Sequence, residues 1–336
     1  MKLIFFSFKT RFRKMLFNNF IQNNIYGKYI VINLSGPFKH YIAKFFLFLG
    51  IGRSISCDGN PLISNITKGI NFWSRNSLHL EDDKKKLDNN FFAISNNHIA
   101  KNDIFQIYPV KIFKSRLKKN PKIIFISRMN TTVTQEEKNI WDINKVKLLE
   151  NFHLIDDVGY WQKNILNTDD ENKKYDIYLK LKLLLRFEIV KSLKDKFGEQ
   201  MYIIGNDWKN YKLKSQSSPD IGSKEFNLKN IYNIYKGNIC LDLGSLVGSI
   251  SLYHRSMQII EAGGMIVQST QSDSKEVWND LHNKLVFNNI NDGILLIEKI
   301  LYDEKYTSNL YNEIYNKFCK SEKLMEQSLD KIFLHN

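Results

Sequence analysis

The sequence predicts an α/β fold with two Rossmann-like domains, and three observations lead to this prediction. Short apolar runs alternate with helical stretches in both halves of the chain, which is typical of parallel sheets with helices on both faces. In the second half, a strand, a glycine turn, a helix and another strand follow one another between Asn238 and Val267. The 336 residues are 43% hydrophobic, which is enough for two separate cores.

Residues 1–25 are predicted to form a separate basic amphipathic segment. Apolar side chains recur at steps of three and four with cations between them: Phe5, Phe8, Phe12, Leu16 and Phe20, and Lys9, Arg11, Arg13 and Lys14. A helix of this composition suits an anionic membrane surface. A helix packed on its own domain and a short first strand at Leu3 to Phe6 remain alternatives.

An N-terminal domain is predicted over residues 26–190. Its strands are expected at Tyr29 to Leu34, at Phe91 to Ser95 and at Lys122 to Ser127, and a short strand followed by a loop is expected over Arg53 to Pro61. The polar run Thr168 to Lys174 indicates a loop or linker, and Tyr178 to Phe197 a long helix. Leu181, Leu185, Ile189 and Leu193 give that helix an apolar stripe.

A second domain is predicted over residues 191–308, followed by a helical tail over residues 309–336. Its expected elements are a strand at Met201 to Ile204, a helix at Leu228 to Tyr235, the glycine-turn unit, and helices near Lys275 to His282 and Asn291 to Tyr302.

Composition narrows the classes of site that this chain could contain. Its net charge of +14 favours anionic partners such as a membrane, a nucleotide or a nucleic acid, although no recognisable nucleic-acid module is present. A general richness in Lys, Asn and Ile is the alternative explanation of the charge. The three cysteines, Cys57, Cys240 and Cys319, are far apart, which favours a reducing compartment and a cytoplasmic protein. No Asp-x-Asp motif occurs, so no metal is expected. No apolar run reaches the length of about 18 residues that a membrane-spanning helix needs.

The glycine-turn unit is the predicted ligand site. Gly244 and Ser245 follow an apolar strand and precede a helix, the usual layout for holding a phosphate at a helix N-terminus. Arg255 and Gln258 share a face of that helix, and Glu261 lies nearly one turn further along. A cation near a phosphate site, with polar groups beyond it, suits a nucleotide sugar.

Two stretches of the second domain resemble the CgeB-like (spore-maturation-type) glycosyltransferases. Tyr202 to Trp208, Y-I-I-G-N-D-W, is similar to the family's G-x-x-W strand and loop. Arg255 to Gly263, R-S-M-Q-I-I-E-A-G, is similar to the family's arginine-led helix, R-x-F-E-x-x-A-x-G, and Gly264 follows it. The resemblance covers residues 195–300.

The resemblance implies a GT-B glycosyltransferase, with two Rossmann-like domains facing each other across a cleft. The C-terminal domain would bind the nucleotide-sugar donor, and the N-terminal domain would bind a glycan or lipid-linked acceptor, with no metal or other cofactor. Arg255 would contact the donor diphosphate, and Gln258 stands at the position of the family's ribose-binding glutamate. The other expected donor-site residues are Gly205, Trp208, Gly244, Ser245, Glu261, Gly263 and Gly264.

An inverting transfer would also need a general base near the acceptor hydroxyl. Asp58, in a loop after a short strand, and His40 are the predicted candidates, with His98 and Asp157 considered beside them. The expected enzyme is cytoplasmic and peripheral on the inner face of the membrane. A two-Rossmann nucleotide-sugar epimerase and a basic nucleic-acid-binding protein are the alternatives.

Overall fold

The structure is a computed structural model. It describes residues 3–7, 29–33, 53–57, 69–73, 91–93, 112–127, 132–157, 171–205, 228–244 and 254–321, together with single positions and pairs at 42, 45–46, 49, 109, 159–160, 208, 251–252 and 323. The chain divides into two compact units, residues 1–110 with 320–336, and residues 111–319.

The first unit contains a five-stranded parallel sheet with strand order β2-β1-β3-β4-β5. Its strands are β1 (Leu3–Ser7), β2 (Tyr29–Asn33), β3 (Arg53–Cys57), β4 (Gly69–Trp73) and β5 (Phe91–Ala93). The strand β4 was not among the predicted elements.

The beginning of the chain is a strand and not the start of an amphipathic helix. Phe5 pairs with Val31 of β2 on one side and with Arg53 of β3 on the other, so β1 lies inside the sheet. The alternative of a first strand at Leu3 to Phe6 is therefore confirmed, and residues 3–7 are removed from the predicted helix. Residues 8–25 lie outside the described part of the chain.

The second unit contains another five-stranded parallel sheet, with order β10-β9-β8-β6-β7. Its strands are β6 (Ile123–Ile126), β7 (Met201–Ile204), β8 (Ile239–Asp242), β9 (Met265–Ser269) and β10 (Val286–Phe287). Counted along the chain within each unit, both sheets have the order 2-1-3-4-5, which is one of the common doubly wound arrangements. The α/β class and the parallel sheets are thus confirmed.

The boundary between the units lies at residues 110 and 111, far from the predicted boundary at residues 190 and 191. Ile123 of β6 pairs with Met201 of β7 and with Ile239 of β8, so this strand belongs to the second sheet. Strand pairing assigns β6 to its unit, and pairing partners are not visible in a short apolar run.

Helices cover the second sheet. They are α1 (Gln135–Glu150), α2 (Glu171–Phe197), α3 (Leu228–Tyr235), α4 (His254–Glu261), α5 (Ser274–Trp278), α6 (His282–Leu285), α7 (Ile290–Tyr302) and α8 (Glu304–Phe318), with short 3-10 turns at Phe152–Asp156, Gly198–Gln200 and Asn279–Leu281. The helix α2 begins at Glu171, so the predicted linker at Thr168 to Lys174 is partly helical. The helix α8 begins at Glu304, within the predicted second domain, and runs into the predicted tail as far as Phe318; it packs on α7.

The core of the second unit lies between the sheet and these helices. All described residues of β6, β8 and β9 are buried. The apolar stripe of α2 is also buried, with Leu181, Leu185, Ile189 and Leu193 each at most 5% exposed. Burying this stripe against the sheet stabilises α2 and fixes its rotation about its axis. No helix in the described part of the chain is long and apolar enough to cross a membrane.

Candidate functional site

The candidate site lies at the carboxyl edge of the second sheet, between β6 and β8. From β6 the chain continues to β7 on one side, and from β8 it continues to β9 on the other. The two connections diverge at this switch point, and open parallel sheets bind ligands in the crevice formed there. Ser127 follows β6 directly, and Gly244 lies two residues beyond β8.

Arg186 of α2 connects the two strand ends. Its side chain is buried, with the residue only 5% exposed. Its Nη1 donates a hydrogen bond to Ser127 Oγ at 3.2 Å, and its Nη2 donates to the carbonyl oxygen of Gly244 at 2.9 Å. Its Nε has no hydrogen-bond partner among the described residues. Within the described part of the chain, one N–H of this buried guanidinium is therefore unused.

Arg255 reaches the same edge from the first turn of α4. Its Nη1 lies 3.7 Å from Oδ1 of Asp242, the last residue of β8, and forms no hydrogen bond within the described part of the chain. The Asp242 carboxylate is engaged elsewhere: Oδ1 accepts from the backbone N–H of Gly244 at 3.1 Å, and Oδ2 accepts from Gln268 Nε2 at 3.0 Å. Asp242 thus balances the charge of Arg255 without satisfying its Nη1.

The two arginines and Asp242 leave an excess of positive charge at a largely buried position. The pKa of Arg186 is lowered to about 9. Burial is the main cause and the positive charge of Arg255 adds to it, while the negative charge of Asp242 opposes both. Arg186 still carries its charge at neutral pH, and keeping it charged costs stability on the order of a few kcal/mol. A bound anion would offset this cost, so the arrangement of Arg186, Arg255 and Asp242 is chemically suited to an anionic ligand.

A small cavity adjoins Arg186. Its volume is about 20 Å³, room for roughly one water molecule or one ligand oxygen. Its walls combine apolar and polar side chains, namely Phe152, Ile155, Asp156, Lys182, Leu185, Arg186, Ile189, Leu243, Ser269, Thr270 and Gln271.

Lys182, in the wall of this cavity, belongs to a buried polar cluster. Its Nζ donates to Tyr178 Oη at 2.8 Å and to Asp156 Oδ1 at 3.3 Å, while Tyr178 donates to the same carboxylate oxygen at 2.6 Å. Burial lowers the pKa of Lys182, and Asp156 opposes that shift. Because Asp156 compensates Lys182, Arg186 is the better candidate for binding an anionic oxygen here.

A second buried network supports Arg255. Gln268 Oε1 accepts from Trp278 Nε1 at 2.8 Å, and Gln268 Nε2 donates to the carbonyl oxygen of Ser251 at 2.7 Å. The backbone N–H of Ser251 donates to Asp273 Oδ1 at 2.8 Å. Burial raises the pKa of Asp273 to about 6, although its hydrogen bonds with Ser251 oppose the shift. These bonds fix the chain just before α4 and so help to orient Arg255.

Of the predicted donor-site residues, Gly244 and Arg255 lie together at the carboxyl edge. Both contact Asp242, Gly244 through its N–H and Arg255 through its long ion pair. The sequence interpretation of a glycine turn near an arginine-led helix agrees with this geometry.

Gln258 and Glu261 lie further along α4 and are buried, at 6% and 7% exposure. The carboxylate of Glu261 accepts a short hydrogen bond from Tyr232 Oη of α3. Glu261 thus joins α3 to α4, and this contact differs from the predicted donor contact.

Gly263 and Gly264 lie at the opposite edge of the sheet from Gly244. They follow α4 and precede the amino end of β9, and the carbonyl oxygen of Gly263 accepts from the backbone N–H of Gly237, just before β8. The structure therefore does not bring them to the arginines. Gly263 and Gly264 form the turn between α4 and β9, and the predicted donor contact does not occur at this edge.

Trp208 is fully buried, so its side chain is not available to a donor at the surface of the site. Its Nε1 donates to the carbonyl oxygen of Ser127 at 2.8 Å, and its ring packs edge-on against Phe125 with 5.7 Å between ring centroids. Trp208 positions the carboxyl end of β6, which is a correction to its predicted direct contact. Gly205, directly after β7, lies at the carboxyl edge.

The remaining predicted residues are Ser245 and the four candidates for the general base. Ser245, Asp58, His40 and His98 lie outside the described residues. Asp157 is exposed, and its Oδ1 accepts from the backbone N–H of Tyr160 at 3.0 Å.

Sequence reasoning missed Arg186, Asp242 and Gln268. A signal for Arg186 was present, because Lys182 and Arg186 are four residues apart and each directly follows a leucine of the predicted buried stripe. Cations beside a buried helix face are rarely buried without a partner or a function. The pairing of Gln268 with Asp242 depends on the register of β8 and β9, which no local pattern reveals.

In comparisons with known proteins, no protein-family model, no curated protein and no solved structure matches the chain. Within the described residues, no group of three or more His, Cys, Asp or Glu side chains is arranged to hold a metal ion.

Proposed function

We propose that this chain is a metal-independent glycosyltransferase that moves a sugar from a nucleotide-sugar donor to a glycan or lipid-linked acceptor. The donor diphosphate binds to the second unit at Arg186 and Arg255, and the reaction takes place in the cytoplasm at the inner face of the membrane. The observation that carries the proposal is the pair of guanidinium groups at the switch point, each with an N–H that lacks a partner among the described residues.

The chemistry of glycosyl transfer suits such a pair. When the bond between the sugar and the diphosphate breaks, negative charge grows on the departing phosphate oxygens. Fixed cations in a buried site stabilise that charge without a metal ion. A guanidinium can also hold two phosphate oxygens at once, which a lysine ammonium does less specifically.

The two arginines have different exposures, and this indicates different roles. The side chain of Arg255 is 24% exposed, so it is the one that an entering ligand can contact from solvent. Arg186 is almost completely buried and is bonded to both strand ends. We expect Arg255 to bind the diphosphate directly, and we expect Arg186 Nε to donate a hydrogen bond to one of its oxygens from within.

An inverting reaction needs a base that removes the proton from the acceptor hydroxyl. His40 and Asp58 remain the predicted candidates for this role. The donor site described above does not depend on which of them acts.

Nucleotide binding tests the donor site. UDP, GDP, dTDP and CMP, and the corresponding sugar nucleotides, are added to the purified chain, and thermal stability is measured against ligand concentration, because a ligand that binds the native state raises it. We expect Arg255→Gln to weaken the best ligand by roughly 10- to 100-fold, since a charge-assisted hydrogen bond contributes about 1.5–3 kcal/mol.

Lys191→Gln is the matched control, because Lys191 is an exposed cation on α2. It removes the same charge and should leave nucleotide affinity unchanged. Equal affinity in wild type and Arg255→Gln, or an equal loss in the control, would contradict the assignment of Arg255.

Product analysis tests the reaction itself. The chain is incubated with the best-binding sugar nucleotide, with and without membrane-extracted glycans, and the release of free nucleotide is followed. Transfer predicts release that depends on the acceptor. If the sugar nucleotide is instead interconverted without an acceptor, the activity is epimerisation and not transfer. The assignment of the donor site would still hold in that case.

A further inference from the structure

A second charged surface lies at the amino edge of the second sheet, away from the two arginines. Residues 111–122 contain six cations and no acidic residue: Lys111, Lys114, Arg116, Lys118, Lys119 and Lys122. Residues 112–122, hereafter the basic strap, run without helix or strand up to the start of β6.

The basic strap is held against the sheet edge by hydrogen bonds. The backbone N–H of Lys118 donates to the carbonyl oxygen of Gly237 at 2.9 Å, just before β8. Ser115 Oγ donates to the carbonyl oxygen of Gly263 at 2.9 Å, before β9. The backbone N–H of Lys122 donates to Asn238 Oδ1 at 3.0 Å. The strap therefore crosses the amino ends of β6, β8 and β9 in a fixed position.

Two glycines allow the basic strap to lie this close to the sheet. Gly237 and Gly263 have φ angles of +66° and +73°, which side-chain-bearing residues rarely adopt. A Cβ on Gly263 would lie 2.6 Å from Ser115 Oγ, and one on Gly237 would lie 3.1 Å from the carbonyl oxygen of Arg116. The Gly263-Gly264 turn thus has a physical role at this edge.

The outer face of the basic strap is cationic, with an aromatic ring near its beginning. Lys114, Arg116, Lys118 and Lys119 are exposed, and none of them forms an ion pair within the described part of the chain. Phe113 is 69% exposed. Lys236, also exposed, adds a further cation beside Gly237.

We propose that the basic strap binds an anionic membrane surface, with the cations contacting lipid phosphates and Phe113 entering the interface. Charge complementarity supports this partner, because clustered Lys and Arg side chains are attracted to anionic headgroups. An apolar side chain beside such a cluster adds anchoring through burial in the headgroup region.

A nucleic acid fits this surface less well. Proteins that bind single strands stack successive bases on several aromatic side chains, and Phe113 is the one aromatic residue of the basic strap itself. Two rings beside the strap are already engaged: the ammonium groups of Lys114 and Lys122 lie 5.4 and 5.0 Å from the ring centroids of Tyr315 and Tyr202. The proposal moves membrane contact from residues 1–25 to the second unit. It does not depend on the proposed glycosyl transfer, because the strap and the arginines lie at opposite edges of the sheet.

Vesicle binding tests the proposal on the full chain. Co-sedimentation is measured with phosphatidylcholine vesicles and with vesicles containing about one third phosphatidylglycerol, at roughly 0.1 M salt, where charge attraction persists over about 10 Å. The variant is Arg116→Gln with Lys118→Gln and Lys119→Gln. The control, Lys138→Gln with Lys147→Gln and Lys191→Gln, removes three exposed lysines from α1 and α2.

Each cation near an anionic surface contributes a factor of roughly five, so the strap variant should lose on the order of 100-fold in partitioning to anionic vesicles. The control should bind nearly as well as wild type, and Phe113→Ser should lose several-fold at all salt concentrations. Unchanged melting temperatures would show that these surface variants are folded.

Three outcomes would overturn the proposal. One is wild type that binds both kinds of vesicle equally poorly. Another is a control that loses as much as the strap variant, which would mean that only net charge matters. The third is a strap variant that keeps its vesicle binding but loses affinity for single-stranded RNA or duplex DNA, measured by fluorescence anisotropy.

Discussion

Arg186 donates a hydrogen bond from Nη2 to the carbonyl oxygen of Gly244 at 2.9 Å, although the two residues are 58 positions apart in the chain. This bond brings a buried cation from the middle of a long helix to the glycine turn after β8. Together with the bond from Nη1 to Ser127 Oγ, it places a guanidinium across the switch point of the second sheet. The candidate site is built around this connection.

Replacement of Arg186 by Met should separate binding from stability. A buried charge with incomplete compensation lowers stability, and an apolar side chain of similar length often restores it. We expect Arg186→Met to change the free energy of unfolding by less than about 2 kcal/mol, in either direction, and to lower nucleotide affinity by roughly tenfold or more.

Urea unfolding and nucleotide titration on the same preparations would measure both quantities. Lys191→Met, an exposed substitution on the same helix, is the control and should change neither. A variant that binds nucleotide as wild type does would show that Arg186 is only a structural cation.

Gly244→Ala should destabilise the chain for two reasons. The φ angle of Gly244 is +69°, and its added Cβ would lie 2.5 Å from Oε1 of Gln271. Gln271 is buried and donates from Nε2 to the carbonyl oxygen of Ser269 at 3.1 Å, so it cannot move away without cost. We expect a loss of about 2–4 kcal/mol from strain and crowding together.

Gly198→Ala separates these two causes. Gly198 also has a positive φ, of +50°, but an added Cβ would meet nothing within 4 Å. It should therefore lose only the strain component, on the order of 1 kcal/mol. Equal losses for the two alanine variants, measured by chemical unfolding, would mean that crowding against Gln271 does not matter.

Asp273 should make stability depend on pH below neutrality. Burial raises its pKa from 3.8 to about 6, so the native state keeps a proton that the unfolded chain has already lost. The native state therefore binds more protons between these values, and this group's contribution to stability falls as pH rises from about 4 to about 6. The full effect is on the order of 3 kcal/mol.

Asp273→Asn keeps an acceptor for the backbone N–H of Ser251 but cannot ionise. Wild type should lose stability as the pH is raised from 4 to 7, because Asp273 ionises in the native state. The unfolding free energy of Asp273→Asn should fall less over the same range. Asp142→Asn, at an exposed position of α1, is the control and should follow the wild-type profile. Parallel profiles for wild type and Asp273→Asn would contradict the prediction.

Trp208→Phe should lower stability with little effect on nucleotide binding relative to Arg255→Gln. The substitution retains most of the buried ring but removes the bond from Nε1 to the carbonyl oxygen of Ser127. Losing a donor to a buried carbonyl costs about 1–3 kcal/mol. A loss of affinity as large as that of Arg255→Gln, at unchanged stability, would restore the direct donor contact that the resemblance implied.

The sequence alone predicted most of the strands and helices of the second unit, because their apolar periodicity is local. It also placed Gly244 beside an arginine-led helix, since both lie within one strand-turn-helix unit. It assigned β6 to the wrong domain and extended a helix into residues 3–7. A short apolar run does not show its pairing partners. A short aromatic segment also fits both the helical period of 3.6 residues and the strand period of 2 residues.

The α/β class, the positive charge and the glycine turn before Arg255 therefore follow from composition and local patterns in the sequence. Which residues share a site depends on how the elements pack. Arg186, Asp242 and Gln268 meet through the packing of α2 and the register of β8 and β9, while Gly263 and Gly264 are carried to the opposite edge. A parallel strand separates its two ends by roughly 3.3 Å per residue, so residues close in sequence can lie at opposite edges of the sheet.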